Sequence, residues 1–225
     1  MSLAEGVDKL KKGSLFAIAA DLLAIAGIGF AFLSVGIGMS LQDIQKMFLV
    51  LGAVLIPFLV ALILGIVGFI FWFQATGKLK NADDNLGIGR TGMILQIAGI
   101  SLMILSMIVA ILLFSASHVT RHSFEPQTIT PAIGGAFIGM MVFMALGGLL
   151  IIVGAILFGI MLLRLSEVEG VDQGFNTAGI LYLISIVASV VLAAIGGILM
   201  FVSLILIYMA ADKSLKNLQS MQTFS

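Results

Sequence analysis

Residues 78–95 read Lys78-Leu79-Lys80-Asn81-Ala82-Asp83-Asp84-Asn85-Leu86-Gly87-Ile88-Gly89-Arg90-Thr91-Gly92-Met93-Ile94-Leu95. The stretch is a polar hinge that tips directly into an apolar run. Three basic residues (Lys78, Lys80, Arg90) and two acidic ones (Asp83, Asp84) gather there, between two segments of membrane length. Its closing part, Arg90-Thr91-Gly92-Met93-Ile94-Leu95, recurs in weaker form as Lys12-Gly13-Ser14-Leu15-Phe16 and as Asn176-Thr177-Ala178-Gly179-Ile180-Leu181. Three segments therefore pass from water into the apolar phase alike, which is the plan of a helical membrane protein.

Composition carries the same message. The 225 residues are 61 % hydrophobic and 10 % charged, with 26 glycines, against about 25 % charged residues in soluble domains. The apolar blocks exceed the ~20 residues needed to cross a ~30 Å hydrocarbon core, which indicates helices and not a barrel. The expected fold is an all-α, polytopic transmembrane bundle forming one integral-membrane domain over residues 1–225. Net charge is zero and no long basic block occurs, so nucleic acid is not an expected partner; membrane lipids and other membrane subunits, or a second copy, are. Without cysteine there is no disulfide, thiolate ligand or thiol nucleophile.

Five long spans are expected, at about 14–38, 41–75, 91–117, 131–165 and 178–211. The first exceeds the 7 to 15 apolar residues of a signal peptide. Before it, Leu3, Val7 and Leu10 stand at helical spacing among charges, as in a short amphipathic lead-in on the membrane surface. Ser40 three residues before Asp43 resembles a capping box for the second span, Pro57 lies inside that span, and Gly77 is its expected stop. Thr130-Pro131 is a cap followed by a first-turn proline, a strong start for the fourth span. The glycines of that span, including Gly135 and Gly139 in a GxxxG, are expected contact points for a neighbouring helix. Spans two and three pair with spans four and five as a parallel internal repeat, each a long helix, a charged hinge and a glycine-marked start.

Five spans place the chain's ends on opposite sides. Seven basic residues (Lys9, Lys11, Lys12, Lys78, Lys80, Arg90, Arg164) then share one side and four (Lys46, Arg121, Lys213, Lys216) the other, favouring a cytoplasmic N-terminus in a cell membrane. One likeness points elsewhere: Ser214-Leu215-Lys216-Asn217 resembles Lys78-Leu79-Lys80-Asn81, as if both faced one compartment. That needs a sixth crossing. A reversal at Gly147-Gly148 or Gly196-Gly197 would supply it, but arms of about 15 residues are too short to cross, and five is the expected number.

Asp21 is the one acidic residue inside an apolar span, and an intramembrane carboxylate is a functional-site candidate by default. Counted from the matching glycines, Gln96, Ser101, Ser185 and Ser189 fall at depths where they share a polar layer with it. The layer reads either as a pathway or, preferentially, as interhelical glue, since serine and glutamine are ordinary packing residues in membrane bundles. His118 and His122, four apart, with Glu125 nearby, form an outer cluster with metal-ligand chemistry. The spacing is not HExxH, and Pro126 and Pro131 favour a solvated loop, so no metal or other cofactor is expected. Gly87, Gly89 and Gly92 satisfy G-x-G-x-x-G, but no strand precedes them, and flexible turn geometry accounts for the glycines. Trp72 and Arg90 are expected interfacial lipid anchors.

With Glu5-Gly6-Val7-Asp8-Lys9-Leu10-Lys11-Lys12-Gly13 before span one and Gly87-Ile88-Gly89-Arg90-Thr91-Gly92-Met93-Ile94-Leu95 before span three, the chain resembles an uncharacterised archaeal family of multi-pass membrane proteins, domain-of-unknown-function family nine-seven-three. The resemblance implies an archaeal cell membrane and brings no activity or catalytic residue with it. No Ser/His/Asp arrangement has workable geometry, so an enzyme is not expected. The expected function is that of a structural or accessory subunit of a membrane assembly; the alternative is a small transporter or channel using the layer around Asp21.

Overall fold

The computed structural model describes residues 2–36, 44–119 and 131–223. These form six α-helices and one 3-10 turn: α1 (Ser2–Gly36), α2 (Ile44–Ala82), the turn Asp84–Leu86, α3 (Gly87–Val119), α4 (Pro131–Leu165), α5 (Gly174–Val191) and α6 (Ala193–Thr223). All six are long and apolar enough to cross a membrane. The chain is thus an all-α, multi-pass membrane protein with six candidate spans. Two compact units divide it, one made of residues 1–90 and 159–225, the other of residues 91–158.

The sixth span comes from the stretch 178–211, read from sequence as one helix. Leu192 is extended (φ −144°, ψ 90°) and separates α5 from α6. Its N–H still donates to the Ala188 carbonyl at 2.7 Å, and the Gly196 N–H donates to the Leu192 carbonyl at 3.0 Å. The reversal needs Gly196, because a Cβ there would collide with the backbone of Ser189. The two arms pack antiparallel: the Ser203 hydroxyl on α6 donates to the Ala178 carbonyl on α5 at 2.9 Å. Arm length does not forbid crossing as expected. α5 begins at Gly174 and has 18 residues, or about 27 Å, and α6 takes in the polar tail and reaches 31 residues.

Other boundaries moved for similar reasons. Helix α2 runs through Pro57 and past Gly77 to Ala82; the turn after it is capped by Asp83, whose carboxylate accepts from the Asn85 N–H at 2.8 Å. The N-terminal residues are not a separate surface segment. They are the first turns of α1, and Val7 and Leu10 are fully buried with Leu79. Helix α4 has the expected bounds, Pro131–Leu165, while Ser40 and Asp43 lie outside the described residues. The two halves of the expected repeat differ in their second arm, 33 residues in α3 against 18 in α5.

In the first unit, α1 packs on α2 and α6, and α5 packs on α6. Its fully buried core lies at the charged end: Val7, Leu10, Leu79, Leu86, Met161, Leu162, Leu165, Phe175 and Ile207. Away from that end the apolar side chains face outward, for example Leu22, Ile25, Leu62 and Ile66. Such a surface suits lipid, where helix association relies on close backbone packing and not on apolar burial. Glycine supplies the closeness between α1 and α2: a Cβ on Gly13 would stand 3.0 Å from the Gly68 carbonyl oxygen, and one on Gly68 would stand 3.0 Å from that of Gly13.

The second unit is an antiparallel pair, α3 against α4, with a seven-residue ladder of small groups. A Cβ on Gly92 would lie 2.5 Å from the Gly154 carbonyl oxygen and one on Gly99 2.5 Å from that of Gly147; the reverse distances are 2.5 and 2.8 Å. Seven residues on, the Ser106 hydroxyl donates to the Met140 carbonyl at 3.1 Å. Among the described glycines of α4 within this unit, Gly147 and Gly154 make the contacts, while Gly139 and Gly148 have open space beside them; the surroundings of Gly135 lie outside the described residues.

Candidate functional site

The first unit carries its charge at one end, where sequence-distant stretches are stitched together. Lys11 on α1 meets Asp212 on α6 at 2.6 Å, and Lys216 meets the other Asp212 oxygen at 2.8 Å. Lys12 pairs with Asp8 at 2.7 Å, one helical turn apart, and Lys78 with Glu5 at 3.1 Å. Arg164, at the end of α4, donates to the Asn85 carbonyl at 3.1 Å. The hinge 166–173 joins the same end: the Asp172 N–H donates to Ser214 at 2.8 Å, and the chain turns at Gly170, whose φ of +82° favours glycine. The ends of α1, α2, α4 and α6 thus share one polar face.

Aromatic rings border that face. The Lys11 ammonium sits 5.4 Å from the Tyr208 ring centre and Lys9 5.7 Å from that of Phe71. Phe71 in turn stacks on Phe16 at 5.6 Å. Arg90 is held most firmly. Its guanidinium lies 3.5 Å over the Phe73 ring while Nη1 donates to the Phe73 carbonyl at 2.6 Å, so Arg90 is tied to α2 by a cation–π contact and a charge-assisted hydrogen bond. Trp72 is half-buried, with its ring against Gly13.

The intramembrane candidates occupy different settings. Asp21 is partly exposed on α1 and makes no hydrogen bond or ion pair among the described residues. Ser185 is fully buried, and its hydroxyl donates to the Tyr182 carbonyl at 2.6 Å. Ser189 donates to the Ser185 carbonyl at 2.7 Å. Both hydroxyls reach carbonyls of α5, a common resting state for membrane serines, and that of Ser185 also lies 3.7 Å from the Met200 sulfur on α6. Gln96 belongs to the second unit, where its chain packs over Gly154, and Ser101 is exposed there. The side chain of His118, with His122 and Glu125, lies outside the described residues. No cluster of three metal-ligating side chains occurs among the described ones.

The stitching of the charged face escaped the sequence reading. Two signals for it existed: the four-residue spacing of Asp8 and Lys12, and the likeness of residues 214–217 to 78–81, which both end on this face. Pairings such as Lys11 with Asp212, or Lys9 with Gln74 at 2.9 Å, have no local signature.

Residues 4–225 match the family described as "Protein of unknown function (DUF973)". No curated protein and no solved structure matches the chain.

Proposed function

The chain belongs to this family of proteins of unknown function, and from its own geometry we propose that it is a non-enzymatic subunit of a membrane assembly whose contact point is Asp21 on α1. One observation supports the reading. Asp21 lies nine residues beyond Lys12, or about 13 Å along the helix, well inside the apolar run, with part of its surface outward and no partner among the described residues. A carboxylate near the centre of a span costs about 2.5–3.5 kcal/mol on insertion scales, and such groups pair with a polar partner. A helix of another subunit, or of a second copy, provides one.

On the charged face, Glu5, Asp8 and Asp212 are each paired with a lysine. The orientation we propose puts this face in the cytoplasm of a cell. Nine of the eleven basic residues belong to the stretches that form it, the exceptions being Lys46 and Arg121, a stronger bias than five spans give.

The test is native mass measurement after gentle extraction from the source membrane. The wild-type chain should travel in a larger complex, and Asp21→Leu should release it as a folded monomer. A wild-type monomer that carries an ion flux in proteoliposomes, abolished in folded Asp21→Asn, would establish the transporter reading instead.

A further inference from the structure

On the charged face, two lysines of α1 are neutralised at close range, Lys11 by Asp212 at 2.6 Å and Lys12 by Asp8 at 2.7 Å. A few ångströms of helix away the pattern changes. A cavity of about 550 Å³ is lined by Glu5, Lys9, Gln74, Lys78, Lys80 and Arg90, four cations against one carboxylate. That carboxylate, Glu5, is taken by Lys78 at 3.1 Å. The remaining cations are held by neutral groups: Lys9 by the Gln74 amide oxygen at 2.9 Å and Arg90 by the Phe73 carbonyl at 2.6 Å. Lys80 is exposed and has no ion pair among the described residues. The cavity thus holds an excess of three positive charges, two of them oriented by neutral groups.

We propose that this cavity binds a phosphate-bearing anion at the membrane surface, a phospholipid headgroup with more than one negative charge. Three features favour phosphate. The Arg90 guanidinium is fixed by the Phe73 ring at 3.5 Å and by the Phe73 carbonyl, and a stacked, oriented guanidinium loses little freedom on receiving phosphate oxygens. Gly77 makes room for it, since a Cβ there would stand 3.3 Å from Nη1. Position is the third feature. Lys9 and Arg90 sit against Phe71 and Phe73 near the end of the apolar run of α2, the level at which aromatic rings meet headgroups, and basic pockets between membrane helices bind multiply charged headgroups. A soluble phosphate shares this chemistry, and the experiment separates the two sources.

Native mass spectrometry of the full chain, from mixed micelles holding equal cardiolipin and phosphatidylcholine, reads the retained lipid directly. Cardiolipin should be retained in preference, and the double variant Lys9→Gln/Lys80→Gln should lose about 10- to 30-fold of that preference. Lys213→Gln, an exposed lysine on the same face, should keep it. Arg90→Lys, which retains the charge without the planar fork, should lose affinity while the chain stays folded by circular dichroism. Binding of pyrophosphate that depends on Lys9 and Lys80, without cardiolipin preference, would support the site and identify a soluble source. Equal retention of both lipids with no pyrophosphate binding, or a double variant that behaves like Lys213→Gln, would overturn the proposal.

Discussion

Lys11 and Asp212 stand 201 positions apart in the chain and meet at 2.6 Å. The pair fixes the first turns of α1 and the polar end of α6 on one face, so the number of crossings between them is even. That is the structural reason for reading six spans.

Reversing either charge should lower the thermal midpoint in detergent, because Lys11→Glu sets a carboxylate against Asp212 and Asp212→Lys sets an ammonium against Lys11 and Lys216. Lys11→Glu combined with Asp212→Lys should recover part of the loss, as coupled neighbours do. Losses that simply add in the double variant would mean the two groups do not interact.

Filling the α3–α4 ladder should separate the helices. Gly99→Leu or Gly154→Leu puts a side chain where a carbonyl oxygen lies 2.5 Å from the Cβ position, and overpacking of this kind costs about 1–3 kcal/mol. Gly148→Ala, with open space beside it, should change stability by less than about 0.5 kcal/mol. Unfolding of the three variants in detergent, compared with wild type, checks the contrast.

Trp72 is the chain's one tryptophan, and its ring lies on Gly13. Gly13→Val should therefore displace the indole and shift its emission maximum, while Gly29→Ala on the same helix, with nothing within 4 Å, should not. Identical spectra for wild type and Gly13→Val would contradict the packing of α1 on α2.

The reversal at Leu192 should lie at the far side of the membrane from the charged face, since α5 is about 27 Å long at 18 residues. A cysteine at Ala193 in this cysteine-free chain should react with an impermeant maleimide applied from the side opposite the charged face. Reaction from the charged side alone would show that α5 and α6 turn back within the membrane.

The apolar blocks made the fold class legible, and Pro131 marked the start of α4 because a first-turn proline is a local signal, while the expected cap, Thr130, lies outside the described residues. The α5–α6 reversal was harder. It depends on one extended residue, Leu192, inside an unbroken apolar run, and neither composition nor period marks such a residue; Gly196 lies four positions away and reads as an ordinary packing glycine. Asp21 stood out because a carboxylate in an apolar span is rare. Ser185 and Ser189 reach the carbonyls of their own helix, and Ser185 also reaches the Met200 sulfur on α6, choices set by rotamer and not by sequence position. The cavity of Lys9, Lys78, Lys80 and Arg90 combines α1 with the α2–α3 hinge, and only tertiary packing brings those together.

The central claim is that both polar ends of the chain lie on one side of the membrane, with the charged face and its cavity between them. Single cysteines at Ala4 and Ser220 test it by maleimide labelling of intact cells and of inverted vesicles. The account predicts that both sites are silent in cells and both react in inverted vesicles. Labelling of one site from each side would contradict it.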